Sequence, residues 1–438
     1  MTSNKGRWLA GVMALCALLA SPSALAQDEE PPAQPPPNKA SETEDADDEN
    51  SDPLDLFNGA FRHEVTDIRV PGRGLDFEWT RTYRSRTGPL ASPMGNRWDH
   101  SYNIYLTANE SNLVLHDGSG RIDTYTYGLD KPNRWTARGF FNEIELVSGD
   151  YVMHTADRLT YTFEPLDSSP EAGKLIEIRD EYDNAITLNY YQGQLVLIED
   201  TLGRQYSVQY TTEGQVESVG YDTLTLSYTY YGESDPDGSE GDLRSVVTPP
   251  VEELPEGVLA EDVLDVPALE QALPTFPSGR ETIYTYTVGD SDPDLDHCLT
   301  SITDPRNNTY LVNHYEEADP QGERYHRVSW QEFGDGAYHF TYVEDLTETV
   351  NGAVRKTIVN DRAGNVEHLY YDEGNALVAR REYTGRADPD DWTNDTYNLP
   401  GQSLRSSDPT YFERWYAYND DFLLTERMPL FIIGWIMD

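Results

Sequence analysis

The sequence predicts an all-β protein built from serial antiparallel hairpins that follow a β-rich N-terminal capping domain. Tyrosine is unusually frequent, with 30 copies against 12 phenylalanines, and it suits a half-buried pleated surface. Short alternating runs bounded by turn residues, such as Ile122–Tyr127, recur from Leu54 onward. Three segments, starting at Gly173, Gly193 and Gly214, repeat the order glycine, apolar pair, turn and alternating strand ending in tyrosine. Such a unit cannot bury its own face, so neighbours must pair in series.

The N-terminus has the pattern of a secretory signal peptide over residues 1–26. Lys5 and Arg7 precede the apolar run Trp8–Ala20, and Ala24-Leu25-Ala26 forms an A-x-A cleavage site. The apolar run is too short for a membrane anchor. We therefore predict export, with no membrane span after cleavage.

Composition divides the remaining chain into six segments. Residues 27–53 lack large aliphatic side chains and are predicted to form a disordered, acidic, proline-rich linker. The others are an N-terminal β domain at 54–165, repeats at 166–231, an acidic proline-rich insertion at 232–280, further repeats at 281–385 and a C-terminal tail at 386–438. Within the insertion we expect order around Leu243–Val247 and a short helix over Val258–Leu273. The apolar run Met428–Met437 is interpreted as an edge strand, a plug for the open end of the array, or the product of a frameshift.

Charge and cysteine content limit the partners. A net charge of −46 repels polyanions, so nucleic acid and anionic membranes are poor partners. Cys298 is the only cysteine left after signal cleavage, so the exported chain has no internal disulfide.

Residues 62–97 are an exception to the overall negative charge, because they contain seven arginines and four acids. Because arginine pairs well with carboxylates, we predict that this block docks on the acidic repeats as a cap of the array.

The first block resembles the N-terminal domain of Rhs (YD-repeat) proteins. The matching residues are Gly59-Ala60-Phe61, Glu64-Val65-Thr66-Asp67, Pro71-Gly72-Arg73-Gly74-Leu75, Arg81-Thr82-Tyr83, Ser85-Arg86, Gly95, Trp98, His100-Ser101-Tyr102 and Asp117-Gly118-Ser119-Gly120-Arg121. The later units resemble YD repeats, and the best-fitting positions are Gly193, Leu195, Ile198, Asp200, Gly203, Arg204 and Tyr210. The resemblance extends over roughly residues 54–383.

The resemblance implies a β-ribbon of hairpins that spirals into a shell. In bacterial members the shell encloses a C-terminal toxin used against competing cells, and animal relatives carry similar shells in adhesion proteins. Rhs members close the shell with a core segment bearing a P-x-x-x-x-D-P-x-G motif, which this sequence lacks. We therefore expect a chain truncated before the core and toxin. Its expected partners are toxin cargo or a downstream core segment.

The sequence offers no catalytic, cofactor-binding or metal-binding residues that we would assign. The acidic loops Asp235–Asp242 and Asp290–Asp296 alternate carboxylates, but neither has the glycine and glutamate of an EF-hand loop. Asp117–Gly120 is interpreted as a turn, and Cys298, beside His297, as a buried apolar residue. We expect His100, His326 and His339 to satisfy hydrogen bonds on strands.

Two functions stay open from the sequence. The first is a non-enzymatic, secreted or surface-associated Rhs-type scaffold. The alternative is a cell-surface module that binds carbohydrate or protein, because tyrosine-rich exposed strands are compatible with such binding. No cofactor is predicted for either function.

Overall fold

The computed structural model describes residues 54–86, 88–129, 131–250, 276, 278–289, 296–316, 326–334, 336–386, 411–419 and 424–432. These belong to one compact unit, Ala33–Asp438. The predicted signal peptide and linker (residues 1–53), the predicted helix at Val258–Leu273 and Asp290–Leu295 of the second acidic loop lie outside the described residues.

The all-β fold of serial antiparallel hairpins is confirmed, since every regular element among the described residues is a strand. No helix long and apolar enough to cross a membrane occurs in this part of the chain. The strands form two sheets. The first, called the N-terminal sheet, has the order β1-β2-β3-β4 and consists of β1 (Leu54–Asp55), β2 (Ala60–Val70), β3 (Phe77–Arg84) and β4 (Trp98–His100).

The second sheet, called the long sheet, contains 24 strands. Its first half comprises β5 (Ile104–Asn109), β6 (Asn112–Asp117), β7 (Ile122–Tyr127), β8 (Arg134–Thr136), β9 (Glu143–Val147), β10 (Asp150–His154), β11 (Thr160–Phe163), β12 (Leu175–Arg179), β13 (Ala185–Tyr191), β14 (Gln194–Glu199), β15 (Gln205–Tyr210) and β16 (Val216–Tyr221). Its second half comprises β17 (Leu224–Tyr230), β18 (Leu243–Val247), β19 (Glu281–Tyr286), β20 (Leu299–Thr303), β21 (Thr309–Tyr315), β22 (Val328–Phe333), β23 (Gly336–Val343), β24 (Arg355–Asn360), β25 (Asn365–Tyr371), β26 (Leu377–Arg386), β27 (Tyr411–Tyr418) and β28 (Leu424–Ile432).

Every strand of the long sheet pairs antiparallel with the next strand in the chain, from β5 to β28. The sheet also closes on itself. Tyr105 in β5 forms a bridge with Lys174, just before β12, and the Leu106 N–H donates to the Gly173 carbonyl at 2.8 Å. Strands β5–β12 therefore form a closed ring, from which β13–β28 continue as a ribbon.

The ordered segment expected at Leu243–Val247 is confirmed as β18. In the tail, Met428–Ile432 lie in β28, which pairs with β27. Among the described residues no further strand pairs with the other edge of β28. The rest of the predicted apolar run, residues 433–437, lies outside the described residues, so the three interpretations of this run stay open.

Aspartate builds many of the turns between paired strands. In these turns Oδ1 accepts hydrogen bonds from the backbone N–H groups two and four residues later, which is an Asx-type turn. At Asp200, for example, the acceptor distances are 2.9 Å from the Leu202 N–H and 3.0 Å from the Arg204 N–H. The same pair of bonds recurs at Asp117, Asp180, Asp304 and Asp361. The aspartate of the repeat is thus a turn residue.

Tyrosine ties the two ends of a hairpin together. The hydroxyl of Tyr210, at the end of β15, donates to the Leu195 carbonyl near the start of β14 at 3.0 Å. The hydroxyl of Tyr342 in β23 likewise donates to the Val328 carbonyl at 2.8 Å. Equivalent bonds join Tyr230 to Val216, Tyr286 to Leu243, Tyr315 to Leu299 and Tyr418 to Leu377. Each tie satisfies a main-chain carbonyl beside a buried or half-buried ring.

The repeated glycine also has a common position. Gly173, Gly193 and Gly214 each lie two residues before the first buried aliphatic residue of a strand, and their φ angles are 71°, 80° and 91°. Glycine adopts such angles without a steric penalty. Later hairpins place Gly241, His297, His326 and Asn375 at the same point, with φ between 69° and 87°. The three glycines therefore occupy related surroundings, as the repeat alignment requires.

We expect Tyr342→Phe to lower the free energy of unfolding by about 1–2 kcal/mol, because the buried Val328 carbonyl loses its hydroxyl donor. Urea unfolding followed by circular dichroism measures the change. The control is Tyr182→Phe, since Tyr182 is 77% exposed and should unfold like the parent. An unchanged midpoint for Tyr342→Phe would show that the tie does not stabilise the hairpin.

Candidate functional site: the N-terminal sheet against the long sheet

One face of β3 contacts successive hairpins of the long sheet. Phe77 stacks on Tyr206 of β15, with ring centroids 3.5 Å apart. Two residues later, the Trp79 indole N–H donates to the Tyr228 hydroxyl of β17 at 2.9 Å. Because alternate residues of a strand face the same side, each step of two along β3 reaches a later hairpin.

The contacts continue toward the C-terminal end of β3. The Tyr83 hydroxyl donates to the His297 carbonyl and accepts from the Leu299 N–H, both at 2.8 Å. From the adjacent β4, the Trp98 indole N–H donates to the Tyr286 hydroxyl at 2.8 Å. The aromatic side chains at this interface thus have their polar atoms paired although they are buried.

The loop between β1 and β2 contacts still later strands. The Gly59 carbonyl accepts from the Val328 N–H at the start of β22, at 2.9 Å. The Phe57 ring meets Tyr371 of β25 edge-on, with centroids 5.3 Å apart. The N-terminal sheet therefore lies along one face of the long sheet, from β15 to β25, rather than at the end of the array as a cap.

Arg81 lies at the centre of this interface, on the same face of β3 as Phe77 and Trp79. Its side chain is 1% exposed and forms a two-pronged pair with Asp67, which is 4% exposed. A β-bulge explains the position of Asp67, because Thr66 pairs with Thr80 and Ile68 with Trp79, leaving Asp67 as the extra residue. Bulges re-aim side chains in this way.

Aromatic rings enclose the ion pair. The Arg81 guanidinium carbon lies 4.9 Å from the Trp98 ring centroid and 5.7 Å from those of Tyr228 and Tyr284. The Tyr228 hydroxyl donates to Asp67 at 2.9 Å, and Arg81 donates to the Tyr284 hydroxyl at 3.3 Å. Burial opposes the charge on Arg81, but the adjacent Asp67 carboxylate holds the guanidinium pKa well above its usual value. The site is thus a buried ion pair enclosed by aromatic rings, and it is called the Arg81–Asp67 clasp below.

The prediction that the arginines pair with carboxylates of the repeats is wrong for Arg81, whose carboxylate partner lies in the block itself. The block does dock against the repeats, but four of the ion pairs that its arginines form lie within the block, namely Arg62–Glu64, Arg69–Asp76, Arg69–Glu78 and Arg81–Asp67. Tyrosine hydroxyls from the repeats complete the buried contacts instead. A neutral hydroxyl is less costly to desolvate than a second carboxylate. This difference explains why tyrosines of the repeats, and not acidic residues, contact the buried ion pair.

The sequence carries a signal that distinguishes Arg81 from the other arginines of the block. Arg81 shares the parity of Phe77, Trp79 and Tyr83 in an alternating strand, so it falls on the apolar face. A charge at such a position is buried only when it is paired. Parity alone could therefore have selected Arg81 from the seven arginines of residues 62–97.

Two carboxylates of the acidic loop at Asp235–Asp242 form hydrogen bonds, and the first, Asp235, accepts from the Gly232 N–H at 2.8 Å. Asp242 is fully buried; its Oδ2 accepts from the Ser239 N–H at 2.8 Å, and its Oδ1 lies 2.8 Å from the His297 Nδ1. Within the described residues no group of three or more histidine, cysteine or acidic side chains could hold a metal ion. Neighbouring Cys298 is buried, and burial raises the pKa of its thiol to about 11, so the thiol is protonated at neutral pH.

The other candidate residues from the sequence lie in turns or in packed positions of the fold. The Ser119 hydroxyl donates to the Asp117 carboxylate inside the turn, at 3.0 Å. His100, in β4, stacks on Trp79 with centroids 4.3 Å apart, and burial lowers its pKa to about 3. His339 lies in β23, but His326 precedes β22 at a φ of 69°. The expected strand position is therefore wrong for His326.

A second ionic cluster holds the last strands together. Arg381 of β26 pairs with Glu413 of β27 at 2.6 Å and with Glu348 at 2.8 Å. Glu348 also pairs with Lys356 of β24 at 2.8 Å and accepts from the Tyr370 hydroxyl at 3.0 Å. Desolvation of Glu348 favours its neutral form, but the bonds from Lys356 and Arg381 outweigh it and lower its pKa to about 2.

Comparison with known proteins adds one match of sequence and several of structure. Residues 51–125 match a family described as a domain of unknown function (DUF6531). No curated protein matches the chain. The crystal structure of TcdB2-TccC3-Cdc42 is similar at 11% identity and a TM-score of 0.30, covering 84% of this chain and 21% of that one. For TcdB2-TccC3-TEV the values are 13%, 0.21, 80% and 21%.

The chain thus spans about a fifth of the length of these two structures. At such TM-scores the likeness carries no argument about function. The family match covers the N-terminal sheet, which includes the Arg81–Asp67 clasp, together with β5, β6 and the first residues of β7.

We expect Arg81→Met to destabilise the fold by about 3–5 kcal/mol, because it leaves the Asp67 carboxylate buried without its cation. The double variant Asp67→Leu with Arg81→Met should recover much of the loss, since neither charge then remains. Arg158→Met is the control, because Arg158 is 74% exposed and its pair with Glu181 is superficial. Chemical unfolding of the four proteins measures the differences, and equal losses for Arg81→Met and Arg158→Met would contradict the clasp.

We expect the Glu348 cluster to weaken in acid. The folded-state pKa of Glu348 is about 2 against an ordinary value of 4.5, so its contribution is present above about pH 5 and is lost as pH falls toward 2. Hydrogen exchange of the β26 and β27 amides should therefore accelerate over that range. Glu348→Gln should exchange faster at pH 7 and show a flatter acid dependence, whereas Glu181→Gln should follow the parent. A Glu348→Gln profile identical to the parent's would refute this role.

Proposed function

We propose that the chain is a section of a secreted, non-enzymatic scaffold of the Rhs (YD-repeat) type, whose β-sheet wall encloses or presents a partner polypeptide. The observation that carries the proposal is serial construction. Hairpins of one design, six of them closed by a tyrosine hydroxyl on a main-chain carbonyl, add in chain order from β13 onward. Such an array grows by adding strands at its end, as repeat proteins do.

The position of β28 supports an extension of this kind, since no strand in the part of the chain that the structure describes pairs with its second edge. β28 pairs with β27 through residues from Leu424 to Ile432. An unpaired edge strand presents N–H and C=O groups that accept another strand. The partner we propose is a further strand-bearing segment of the same type, or a core segment that carries toxin cargo. We assign no catalytic activity to the chain.

The buried side chains support a structural role as well. The clasp between Arg81 and Asp67 is shielded from solvent by the rings of Trp98, Tyr228 and Tyr284. A substrate could not reach these groups without separating the two sheets. The ionisable side chains with shifted pKa values at this interface thus serve packing. Structural ion pairs are the common alternative to catalysis as a cause of such shifts.

Co-expression tests the scaffold proposal. The whole chain is produced with a tagged segment consisting of YD repeats and an Rhs core, and the two are purified together. We expect a stable complex with increased proteolytic resistance of β27 and β28, and no signal on a glycan array. Absence of a complex together with specific glycan binding would overturn the proposal in favour of an adhesion module.

Processing tests the proposed export. In a bacterial host, we expect the mature protein to begin at Gln27, because Ala24 and Ala26 form the cleavage site. Intact-mass spectrometry of the exported protein measures the start. Ala26→Arg should block cleavage, whereas Ala40→Arg, in the segment after the site, should not. An intact N-terminus retained in the cytoplasm would contradict export.

A further inference from the structure

Tyr190, at the end of β13, lies where six other hairpins have a tyrosine that ties their two strands. The Tyr210 hydroxyl donates to the carbonyl of Leu195, 15 residues earlier in the chain, and the residue equally far before Tyr190 is Leu175. Leu175 and Leu195 correspond to each other, because each follows a repeat glycine by two residues and pairs with the preceding strand next to a β-bulge. The Tyr190 hydroxyl, however, is buried and has no hydrogen-bond partner among the described residues. A buried donor without an acceptor costs free energy unless a ligand or water supplies one.

Tyr190 lines a cavity of about 50 Å³ at the junction of three parts of the fold. His100 and Asn103 contribute from β4 and the turn that follows it, Lys174 from the ring closure, and Gln194 from the ribbon. A water molecule needs roughly 10–15 Å³ of such space. The cavity therefore accommodates at least one water molecule.

Two side chains of the lining supply further polar groups. The Asn103 amide nitrogen donates to Asp99 at 2.8 Å, so its oxygen is the atom of this side chain that can accept from a ligand. The His100 Nδ1 accepts from the Tyr102 N–H at 3.3 Å, and burial lowers the pKa of this imidazole to about 3. The ring is therefore neutral at pH 7, with its proton on Nε2, which is a donor. With the Tyr190 hydroxyl these groups are two donors and one acceptor, and a buried water typically forms about three hydrogen bonds.

The charge in the lining favours a neutral ligand over an ion. Lys174 is the charged residue of the lining, and its ammonium lies 4.4 Å from the centroid of the Tyr105 ring. Burial lowers the pKa of this ammonium, and the nearby Asp99 carboxylate opposes that effect. Since the charge of Lys174 is coupled to Asp99, an anion would lose its hydration in the cavity without meeting an uncompensated cation. The lining itself contains no carboxylate that would attract a cation.

We propose that the cavity binds an ordered water molecule, which accepts a hydrogen bond from the Tyr190 hydroxyl and donates one to the Asn103 side-chain oxygen. Water-mediated hydrogen bonds are nearly as favourable in enthalpy as direct ones. The direct tyrosine ties join the two strands of one hairpin. The water at Tyr190 instead joins β13, the first strand of the ribbon, to the segment between β4 and β5, which links the N-terminal sheet to the ring.

Crystal structures of the parent and of Tyr190→Phe, at a resolution that shows ordered water, test the site directly. The parent should show a water peak about 2.5–3.0 Å from both the Tyr190 hydroxyl and the Asn103 oxygen. Tyr190→Phe should lose this peak, and Tyr182→Phe, which alters a 77% exposed tyrosine, should retain it. An empty cavity, a peak that persists in Tyr190→Phe, or a direct bond from Tyr190 to the Leu175 carbonyl would overturn the proposal.

Urea unfolding of the same three proteins tests the site in solution. If the Tyr190 hydroxyl is bonded to water, Tyr190→Phe should lower the unfolding midpoint. If the hydroxyl has no partner, its removal should leave the midpoint unchanged or raise it, because an unsatisfied polar group is then no longer buried. Tyr182→Phe should unfold like the parent. This measurement does not require crystals, and a midpoint of Tyr190→Phe at or above the parent's would reject the proposal by itself.

Discussion

The docking of β3 across the hairpins of the long sheet is the constraint on which the rest of the structure depends. Antiparallel hairpins joined only to their neighbours define a ribbon, but they do not fix its curvature. Phe77, Trp79 and Tyr83 fix it, because they contact β15, β17 and the start of β20 in turn. The contacts lie between residues far apart in sequence, and each one joins the single strand β3 to a different hairpin. β3 therefore sets the spacing of the array.

The ionic clasp gives this docking its specificity. A row of apolar side chains could slide along a tyrosine-rich face, because hydrophobic contact is not directional. Arg81 removes that freedom. Its charge is tolerated only where Asp67 and the hydroxyls of Tyr228 and Tyr284 meet it, so a shift by one hairpin would bury an unsatisfied guanidinium. Buried ion pairs contribute little net stability, and a role in fixing register is their best-attested use.

Much of the fold could be predicted from the sequence, since alternation and the glycine–tyrosine repeat are local patterns. The docking chemistry could not, because it depends on the bulge at Asp67, and hydrophobic alternation contains no sign of one extra residue. The ring closure between Tyr105 and Lys174, and the cavity beside it, are likewise non-local. Units that begin with His297 or His326 lie in the predicted repeats at 281–385 but lack the first glycine of the pattern, because a histidine adopts there the positive φ that Gly193 adopts.

The order of elements along the chain fits the different roles of the N-terminal sheet, which docks on the hairpins, and of the long sheet, whose hairpins pair in series. Long-range β pairing is slow, because loop-closure entropy must be overcome before non-local contacts stabilise the chain. Here the residues that make the longest-range contacts, those of the N-terminal sheet, come first among the described strands, and the hairpins from β15 to β25 dock on a surface that precedes them. Within the long sheet every pairing except the closure at Lys174 is between chain neighbours. The array thus combines local pairing, which adds strands one by one, with a single early element that positions the hairpins from β15 to β25.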